Sequence, residues 1–200
     1  MSKYLYDIFY TRVGWIGVLN SVNGLRFCVL KKTAFQAFAA IKAETMGFCL
    51  VPSTETYVKV TLQNYIAGIE DNLRSITIDL TAKSKFYLDA WEACRNIPLG
   101  ETRSYAWVAN EIGRPKSHRA IGRAMACNPI LIVIPCHRVI RSDGGLGGYS
   151  GGGPDVKNIL FELEAEIKSN RHSKLLSQRW LPGSSLGHTL LSSDQVPKSR

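Results

Sequence analysis

The chain has 200 residues, of which 45% are hydrophobic, and a formal net charge of +9. This composition suits one large or two small domains and excludes a wholly disordered chain. Because the first eleven residues lack the pattern of a signal peptide, and no segment approaches the roughly 18 apolar residues of a membrane span, we expect a cytoplasmic or nuclear protein with no membrane partner.

The start of the chain is predicted to form a three-stranded antiparallel sheet. Residues 4–13, 15–22 and 25–30 are rich in β-branched and aromatic side chains, as strands are. The runs are separated by Gly14 and by Asn23-Gly24, and an Asn-Gly pair is a strong signal for a hairpin turn.

Two helices and a short strand are predicted to follow this sheet. Apolar residues recur at helical spacing over residues 33–45 and again over 57–69. A short strand is expected over 75–80. The first eighty residues therefore indicate a small α+β unit.

A second, mainly helical region is predicted to begin after a connector at residues 81–85. Apolar residues from Phe86 to Cys94 indicate a helix that ends near Pro98. From Lys168 onward the chain is basic and rich in serine, with little periodicity. Residues 168–200 are therefore predicted to be a poorly ordered tail.

A helix-turn-helix is predicted in the middle of this second region. Residues 104–112 form a short helical pattern with Ser104 as its N-cap, and Gly113 and Pro115 break it. A second helix is expected over 117–127. Two short helices across a tight turn are typical of this DNA-binding motif.

The second of these helices is predicted to present small residues to the minor groove of DNA. Ile121 and Met125 are four residues apart and are expected to face the core. A helix with full side chains is about 10–12 Å across, wider than the DNA minor groove at about 6 Å, so small side chains allow a close approach. Tight packing against another helix is the alternative. The predicted outer stripe is Ser117, Ala120 and Ala124, flanked by Arg119 and Arg123.

A cysteine and a histidine stand side by side after an aliphatic run. Residues 130–134 are all aliphatic and predict a buried strand that delivers Cys136-His137 to a defined point. A cysteine beside a cationic or proton-accepting neighbour can become a thiolate, the form that attacks carbon. The pair therefore predicts a nucleophilic thiol.

Taken together, the cysteines indicate neither a disulfide framework nor a metal site. The five cysteines are an odd number at wide and irregular spacing, so most are expected to be reduced thiols. No Cys-x-x-Cys or His-x-x-x-His pair occurs, so no metal is expected.

Positive charge is regional along the chain, and one basic stretch surrounds the predicted thiol. Residues 101–142 contain seven Lys or Arg side chains and two Glu side chains. A basic stretch of this kind fits a polyanionic partner, most commonly nucleic acid, although a solvated basic surface has the same composition.

Several short motifs together resemble those of the O6-alkylguanine-DNA alkyltransferases. Their order and spacing match this family over about residues 85–167, and residues 1–80 match in pattern only. The motifs are Gly100-Glu101-Thr102-Arg103-Ser104-Tyr105, Arg119-Ala120-Ile121-Gly122, Asn128-Pro129, Ile134-Pro135-Cys136-His137-Arg138-Val139 and Gly147-Gly148-Tyr149-Ser150-Gly151-Gly152.

The resemblance implies direct reversal of DNA alkylation without a cofactor. The lesion base is flipped out of duplex DNA, and Cys136 takes its alkyl group irreversibly; O4-alkylthymine is a further possible substrate. His137 acts through a bound water to deprotonate Cys136, Glu164 orients His137, and Tyr105 aids base rotation and protonates the departing guanine. Taken alone, Glu164 also fits a surface helix carboxylate, and His137 a structural hydrogen-bonded ring.

The resemblance also assigns contacts to DNA and scaffold. Arg119 fills the gap left by the flipped base, although a phosphate contact is the alternative. Arg114 and Ser142 are expected at the DNA backbone. Asn128 ties the helix-turn-helix to the active-site strand, and Arg138 makes a structural salt bridge.

The glycine-rich stretch 144–153 is interpreted as the wall of the base pocket. It lacks the spacing of a dinucleotide-binding loop, and glycines permit close approach of a ligand. The pocket residues expected are Tyr149, Ser150, Gly147 and Gly151.

The implied fold class is α+β. A ribonuclease-H-like domain is expected over residues 1–81, and a mainly helical, winged-helix-like domain with the alkyl acceptor over 82–167. A monomer bound to double-stranded DNA carrying alkylated guanine is expected. The segment 153–155 has one residue more than the family pattern, which leaves the register of Lys157 and Glu164 open.

Three other functions share parts of this pattern. A damage-recognition protein would flip the lesion without chemistry, and a helix-turn-helix regulator could use Cys136 as a redox sensor. A cysteine hydrolase fits less well, because it gives the DNA-binding pattern no role.

Overall fold

The computed structural model describes residues 3–45, 48–53, 56–80 and 83–179. Its architecture is mixed α and β, with one four-stranded sheet and six α-helices in these ranges. No helix within them has the length and apolarity needed to span a bilayer.

The sheet contains the three predicted antiparallel strands and one that the sequence did not reveal. Strands β1 (Lys3–Thr11), β2 (Gly14–Ser21) and β3 (Gly24–Lys31) form two hairpins. Strand β4 (Cys49–Pro52) is parallel to β1, giving the order β3-β2-β1-β4. Four residues ending in proline give little strand signal, but proline is tolerated at a sheet edge.

Helices α1 (Ala34–Thr45) and α2 (Tyr57–Ile66) follow the predicted order. Helix α2 begins where the Thr56 side chain accepts a hydrogen bond from Lys59 N, which satisfies a free amide of the first turn. It ends three residues earlier than predicted, and Gly68 just beyond it has a φ of 75°.

The predicted strand over residues 75–80 is wrong. Residues Leu73–Ser75 form a 3-10 turn, and the following residues make one isolated bridge, between Leu25 and Ile78. Leu25 N donates to Thr77 O at 2.9 Å and Asp79 N to Leu25 O at 2.8 Å. The segment therefore lies along the start of β3 without joining the sheet as a regular strand.

Gly24, at the tip of the second hairpin, is expected to tolerate no side chain. Its φ is 135°, and an added Cβ would lie 2.6 Å from Thr77 O. Both the strained backbone and the clash destabilise Gly24→Ala, by about 1–3 kcal/mol. Urea unfolding measures this loss. Gly148→Ala is the matched control, because no described atom would lie within 4 Å of its added Cβ; equal losses in the two variants would contradict the prediction.

The second half of the chain is mainly helical. Its helices are α3 (Lys85–Arg95), α4 (Tyr105–Glu111), α5 (His118–Ala126) and α6 (Gly153–Arg179). Two short strands, β5 (Arg103–Ser104) and β6 (Val139–Ile140), pair in parallel beside them.

The last described helix extends into the predicted tail. Helix α6 continues to Arg179, so a poorly ordered tail starting at Lys168 is wrong for residues 168–179. Residues 180–200 lie outside the described residues, as do residues 81–82 of the predicted connector.

The aliphatic run over residues 130–134 is a buried turn, not the predicted strand. Ile132 has a φ of 73°, and Ile134 N donates to Ile130 O at 3.0 Å. The edge of β3 holds this turn: Cys28 N donates to Pro129 O, and Leu131 N donates to Cys28 O. A sheet strand from the first half of the chain therefore fixes the segment that leads to Cys136.

Candidate active site

Cys136 lies on a single 3-10 turn, Cys136–Arg138, directly after the aliphatic turn. The buried Asn128 side chain fixes its position. Asn128 Nδ2 donates to Ile134 O at 2.8 Å and to Cys136 Sγ at 3.1 Å, and its Oδ1 accepts from Ile130 N at 2.9 Å. Asn128 follows α5 closely, so one side chain connects the end of that helix to the thiol.

The thiol of Cys136 opens into a cavity of about 310 Å³. Ligand pockets range from about 300 to 1,000 Å³, so this cavity has room for a small ligand only. Cys136 itself is 5% exposed, which limits access to groups that enter the cavity. The lining residues are Tyr105, Gly122, Met125, Ala126, Cys136, Gly148, Tyr149 and Ser150.

Burial raises the pKa of the Cys136 thiol to about 11, although the hydrogen bond from Asn128 and the charge of Lys157 oppose the shift. The resting thiol is therefore protonated at neutral pH. A base must remove its proton before the sulfur can act as the nucleophile that the sequence predicts.

His137 is fully buried beside Cys136 and bonds to a carboxylate. Its Nε2 lies 2.8 Å from Glu164 Oε1. Among the described atoms, its Nδ1 has no hydrogen-bond partner. Burial lowers the pKa of His137 despite the neighbouring carboxylate, so the ring is neutral at pH 7.

Glu164 is the centre of a buried ion-pair network. Arg138 Nη2 lies 2.8 Å from its Oε1, Tyr65 donates to Oε1 at 2.7 Å, and Gly100 N donates to Oε2 at 2.9 Å. Burial alone would raise the pKa of Glu164, but His137 and the Arg138 guanidinium together lower it to about 2. The carboxylate is therefore ionised, and it is not on the helix surface.

This network determines the tautomer of His137. An ionised carboxylate only accepts hydrogen bonds, so His137 Nε2 must carry the hydrogen in the neutral ring. The lone pair is then on Nδ1, the nitrogen without a protein partner in the described structure. His137 is thus arranged to accept a proton at Nδ1.

Sequence reasoning missed two parts of the site. Tyr65 comes from α2, and no local motif marks it. Lys157 is fully buried on α6, where its Nζ donates to Val139 O at 2.7 Å and to Leu146 O. Burial lowers the pKa of Lys157 to about 8. The sequence signal that could have revealed Lys157 is its position in the apolar face of a predicted helix.

The glycine-rich stretch contributes to the cavity differently from the prediction. Tyr149 and Ser150 line it, but Gly147 and Gly151 are not among its lining residues. An added Cβ at Gly151 would lie 2.6 Å from the Tyr149 ring, and one at Gly147 would lie 3.1 Å from the Tyr105 hydroxyl. These two glycines allow the tyrosines to take their places, instead of forming the wall.

The outward face of α5 differs from the predicted stripe at one residue. Arg119, Ala120 and Arg123 are exposed and Ser117 is partly exposed, whereas Ala124 is fully buried. The Ala124 carbonyl accepts a hydrogen bond from Trp91 Nε1 at 2.9 Å. The prediction that Ala124 lies on the outer stripe is therefore wrong.

Other residues of this region lie where a ligand could reach them. Arg114 and Ser142 are exposed in the loops after α4 and β6. Gly122, Met125 and Ala126, which were not predicted as pocket residues, bring α5 into the cavity wall. The same helix thus presents a basic face to solvent and one side to the thiol cavity.

The fold and the cavity define a protein with two helices across a turn and a buried thiol beside them. Residues 85–166 match the family model of the 6-O-methylguanine DNA methyltransferase DNA-binding domain. The solved Mycobacterium tuberculosis OGT in complex with DNA is 31% identical, with a TM-score of 0.68, over 82% of this chain and 94% of that one. The chain belongs to the O6-methylguanine-DNA methyltransferase family.

The alignments with relatives found by sequence cover a shorter part of this chain than the structural match does. The inducible methylated-DNA–protein-cysteine methyltransferase of Bacillus subtilis is 40% identical over 110 residues, which are 55% of this chain and 60% of the relative. The Mycolicibacterium paratuberculosis protein is 47% identical over 54% of this chain and 61% of its own length. The matched segment therefore spans just under two thirds of these relatives.

Proposed function

We propose that this protein repairs DNA by transferring the alkyl group of O6-alkylguanine to its own Cys136. The observation that carries the proposal is the Cys136 thiol at the wall of a small cavity that α5 also lines. The exposed Arg119 and Arg123 on the same helix are suited to contact DNA, which is a polyanion. Double-stranded DNA is accordingly the proposed partner.

The substrate base must leave the duplex to reach the thiol. A stacked base hides its O6 substituent, and flipping exposes it at a cost of a few kcal/mol. The cavity beside the thiol is small, about 310 Å³, and we propose that it takes a single base turned out of the duplex. Arg119 is the proposed residue that enters the duplex behind the flipped base, with Ala120 allowing close approach and Ser117, Arg114, Arg123 and Ser142 at the backbone.

Alkyl transfer begins with a proton transfer away from the thiol. We propose that a water molecule carries the Cys136 proton to His137 Nδ1, because this nitrogen is an acceptor with no protein partner in the described structure. Glu164 holds His137 Nε2 and stabilises the imidazolium that forms. The arrangement is similar in logic to a catalytic triad.

The thiolate then displaces the alkyl group in one step. The sulfur–carbon bond forms as the carbon–O6 bond breaks, and the electron pair of that bond goes to the guanine O6. Tyr105 lines the cavity, and burial raises its pKa, so its hydroxyl is protonated at neutral pH; we propose that it gives this proton to the leaving guanine. Guanine is restored, and the thioether on Cys136 is stable, so each molecule acts once and needs no cofactor.

The guanine edge is proposed to bind at Tyr149 and Ser150. The Tyr149 hydroxyl is buried and has no hydrogen-bond partner among the described residues, so a ligand group would satisfy it. Ser150 is exposed at the rim of the same cavity. Gly147 and Gly151 are proposed to keep the pocket tyrosines in place.

We propose a ribonuclease-H-like domain over residues 1–81 and a winged-helix-like domain over 82–167, supported by the β3-β2-β1-β4 sheet and by the α4–α5 pair beside β5 and β6. We propose a monomer in a cytoplasmic or nuclear location, where DNA is found.

The decisive experiment is a mass measurement. Protein mixed with duplex DNA containing O6-methylguanine should gain one methyl group per molecule, and peptide mapping should place it on Cys136. Duplex DNA without the lesion should leave the mass unchanged. Methylation of the exposed Cys127 instead, or tight lesion binding with no mass change, would refute the proposal.

Arg119→Ala is expected to weaken repair of duplex DNA without affecting the chemistry. Losing a charged contact of about 1.5–3 kcal/mol lowers the transfer rate at limiting duplex by roughly 10-fold or more. Transfer from the free base O6-methylguanine should be unchanged. Lys42→Ala, on the exposed side of α1, is the control; an equal fall with the free base would contradict the assignment.

A further inference from the structure

Tyr65, from the first half of the chain, contacts the proposed proton relay, which consists of Cys136, His137 and Glu164. It lies on α2 and is fully buried. Its hydroxyl donates to Glu164 Oε1 at 2.7 Å and lies 3.5 Å from His137 Nε2. It therefore touches two members of the relay, His137 and Glu164, although it is distant from them in sequence.

Tyr65 and His137 share one acceptor oxygen. Glu164 Oε1 accepts from Tyr65, from His137 Nε2 and from Arg138. Each donated hydrogen bond withdraws negative charge from Oε1. Each one therefore lowers the ability of this oxygen to stabilise a positive charge on His137. The Tyr65 hydroxyl thus acts on the basicity of His137 without touching the thiol.

Other parts of the first half hold Tyr65 in place. Its ring belongs to the hydrophobic core, and the helix that carries it is capped by Thr56. Asp71, just beyond that helix, lies 3.9 Å from Arg138. The hydroxyl is consequently fixed relative to the Glu164–Arg138 pair.

We propose that Tyr65 is a positioning residue that sets the proton affinity of His137 through Glu164, an inference that rests on the proposed alkyl transfer. By occupying Oε1 it limits stabilisation of the imidazolium, so that His137 stays neutral and ready to accept the Cys136 proton. The first half of the chain then supplies part of the relay itself. The other groups that act on His137 are Glu164 and Lys157 from α6, Arg138 from its own turn, and the Tyr149 and Phe161 rings.

The test is a pH titration of the His137 imidazole in full-length Tyr65→Phe, monitored by NMR. Removing the hydroxyl leaves more negative charge on Oε1 for His137. The His137 midpoint should therefore rise, by about 0.5 pH unit or more. An unchanged or lower midpoint would overturn the proposal.

Two controls separate this effect from a loss of stability. Tyr57→Phe removes a hydroxyl from the same helix, one that bonds to Ser75 instead of the relay. Ile66→Val trims a buried neighbour of Tyr65. Both should leave the His137 midpoint unchanged; a shift in either control equal to that of Tyr65→Phe would show that the midpoint responds to destabilisation of α2 and would also overturn the proposal.

The rate of alkyl transfer provides a second readout. Transfer requires neutral His137, so the acid limb of the pH–rate profile should move to higher pH in Tyr65→Phe. The NMR titration uses no DNA, so it tests Tyr65 even if the wild-type protein transfers no alkyl group. Failure of the proposed function and failure of this inference are therefore distinguishable.

Discussion

Cys136→Ser is expected to abolish alkyl transfer while leaving the fold and DNA binding intact. A serine hydroxyl is a much weaker acid and a poorer nucleophile toward saturated carbon than a thiol, so the relay through His137 cannot activate it. The serine oxygen can still accept the hydrogen bond that Asn128 Nδ2 gives to Sγ. The buried turn should consequently keep its geometry.

Two measurements check this prediction. Mass spectrometry after incubation with O6-methylguanine duplex should show no methyl gain, and anisotropy titration should give nearly wild-type affinity for the same duplex. Cys127→Ser is the matched control, because Cys127 is an exposed thiol at the end of α5. If Cys136→Ser still gained a methyl group, another residue would be the acceptor.

The sequence predicted the centre of the site because its residues are close together along the chain. Cys136 and His137 are adjacent, and Asn128 lies only eight residues before Cys136, so local motifs specify their order. The two helices around residue 113 were also predicted, since Ser104 as N-cap and Gly113 as a breaker are local signals. Family membership is confirmed by the solved DNA-bound relative, which this chain matches over 94% of its length, together with the family match over residues 85–166.

The features that could not be predicted from the sequence depend on contacts between distant segments. Tyr65 and Glu164 are 99 residues apart. The outward face of α5 depends on how α3 packs against it, and the Trp91 contact turns Ala124 inward. The aliphatic run before Cys136 forms a turn because β3 holds its backbone, an interaction that no local pattern encodes.

Glu164→Gln is expected to cause the largest loss of stability of the single substitutions considered. All the groups around the carboxylate are donors: Arg138, His137, Tyr65 and the Gly100 amide. An amide removes the charge that balances Arg138 and turns one acceptor oxygen into another donor. Removing one partner of a buried pair costs about 3–5 kcal/mol, and urea unfolding at pH 7 measures this loss.

The loss should depend on pH in a defined direction. Because the folded pKa of Glu164 is about 2, below its ordinary value of 4.5, its ionised form stabilises the folded state fully above about pH 4.5. This contribution disappears as pH falls through about 2. The difference in unfolding free energy between wild type and Glu164→Gln should therefore shrink as the solution is acidified over that window.

Glu166→Gln is the matched control for both measurements. Glu166 lies two residues along the same helix and pairs with Arg12, but both side chains are about half exposed. Exposed pairs contribute about 0–1 kcal/mol because solvent screens them. Glu166→Gln should accordingly unfold almost like the wild-type protein. Equal losses of unfolding free energy in the two variants would show that α6 is sensitive to any substitution. The buried network around Glu164 would then contribute no more stability than an exposed ion pair.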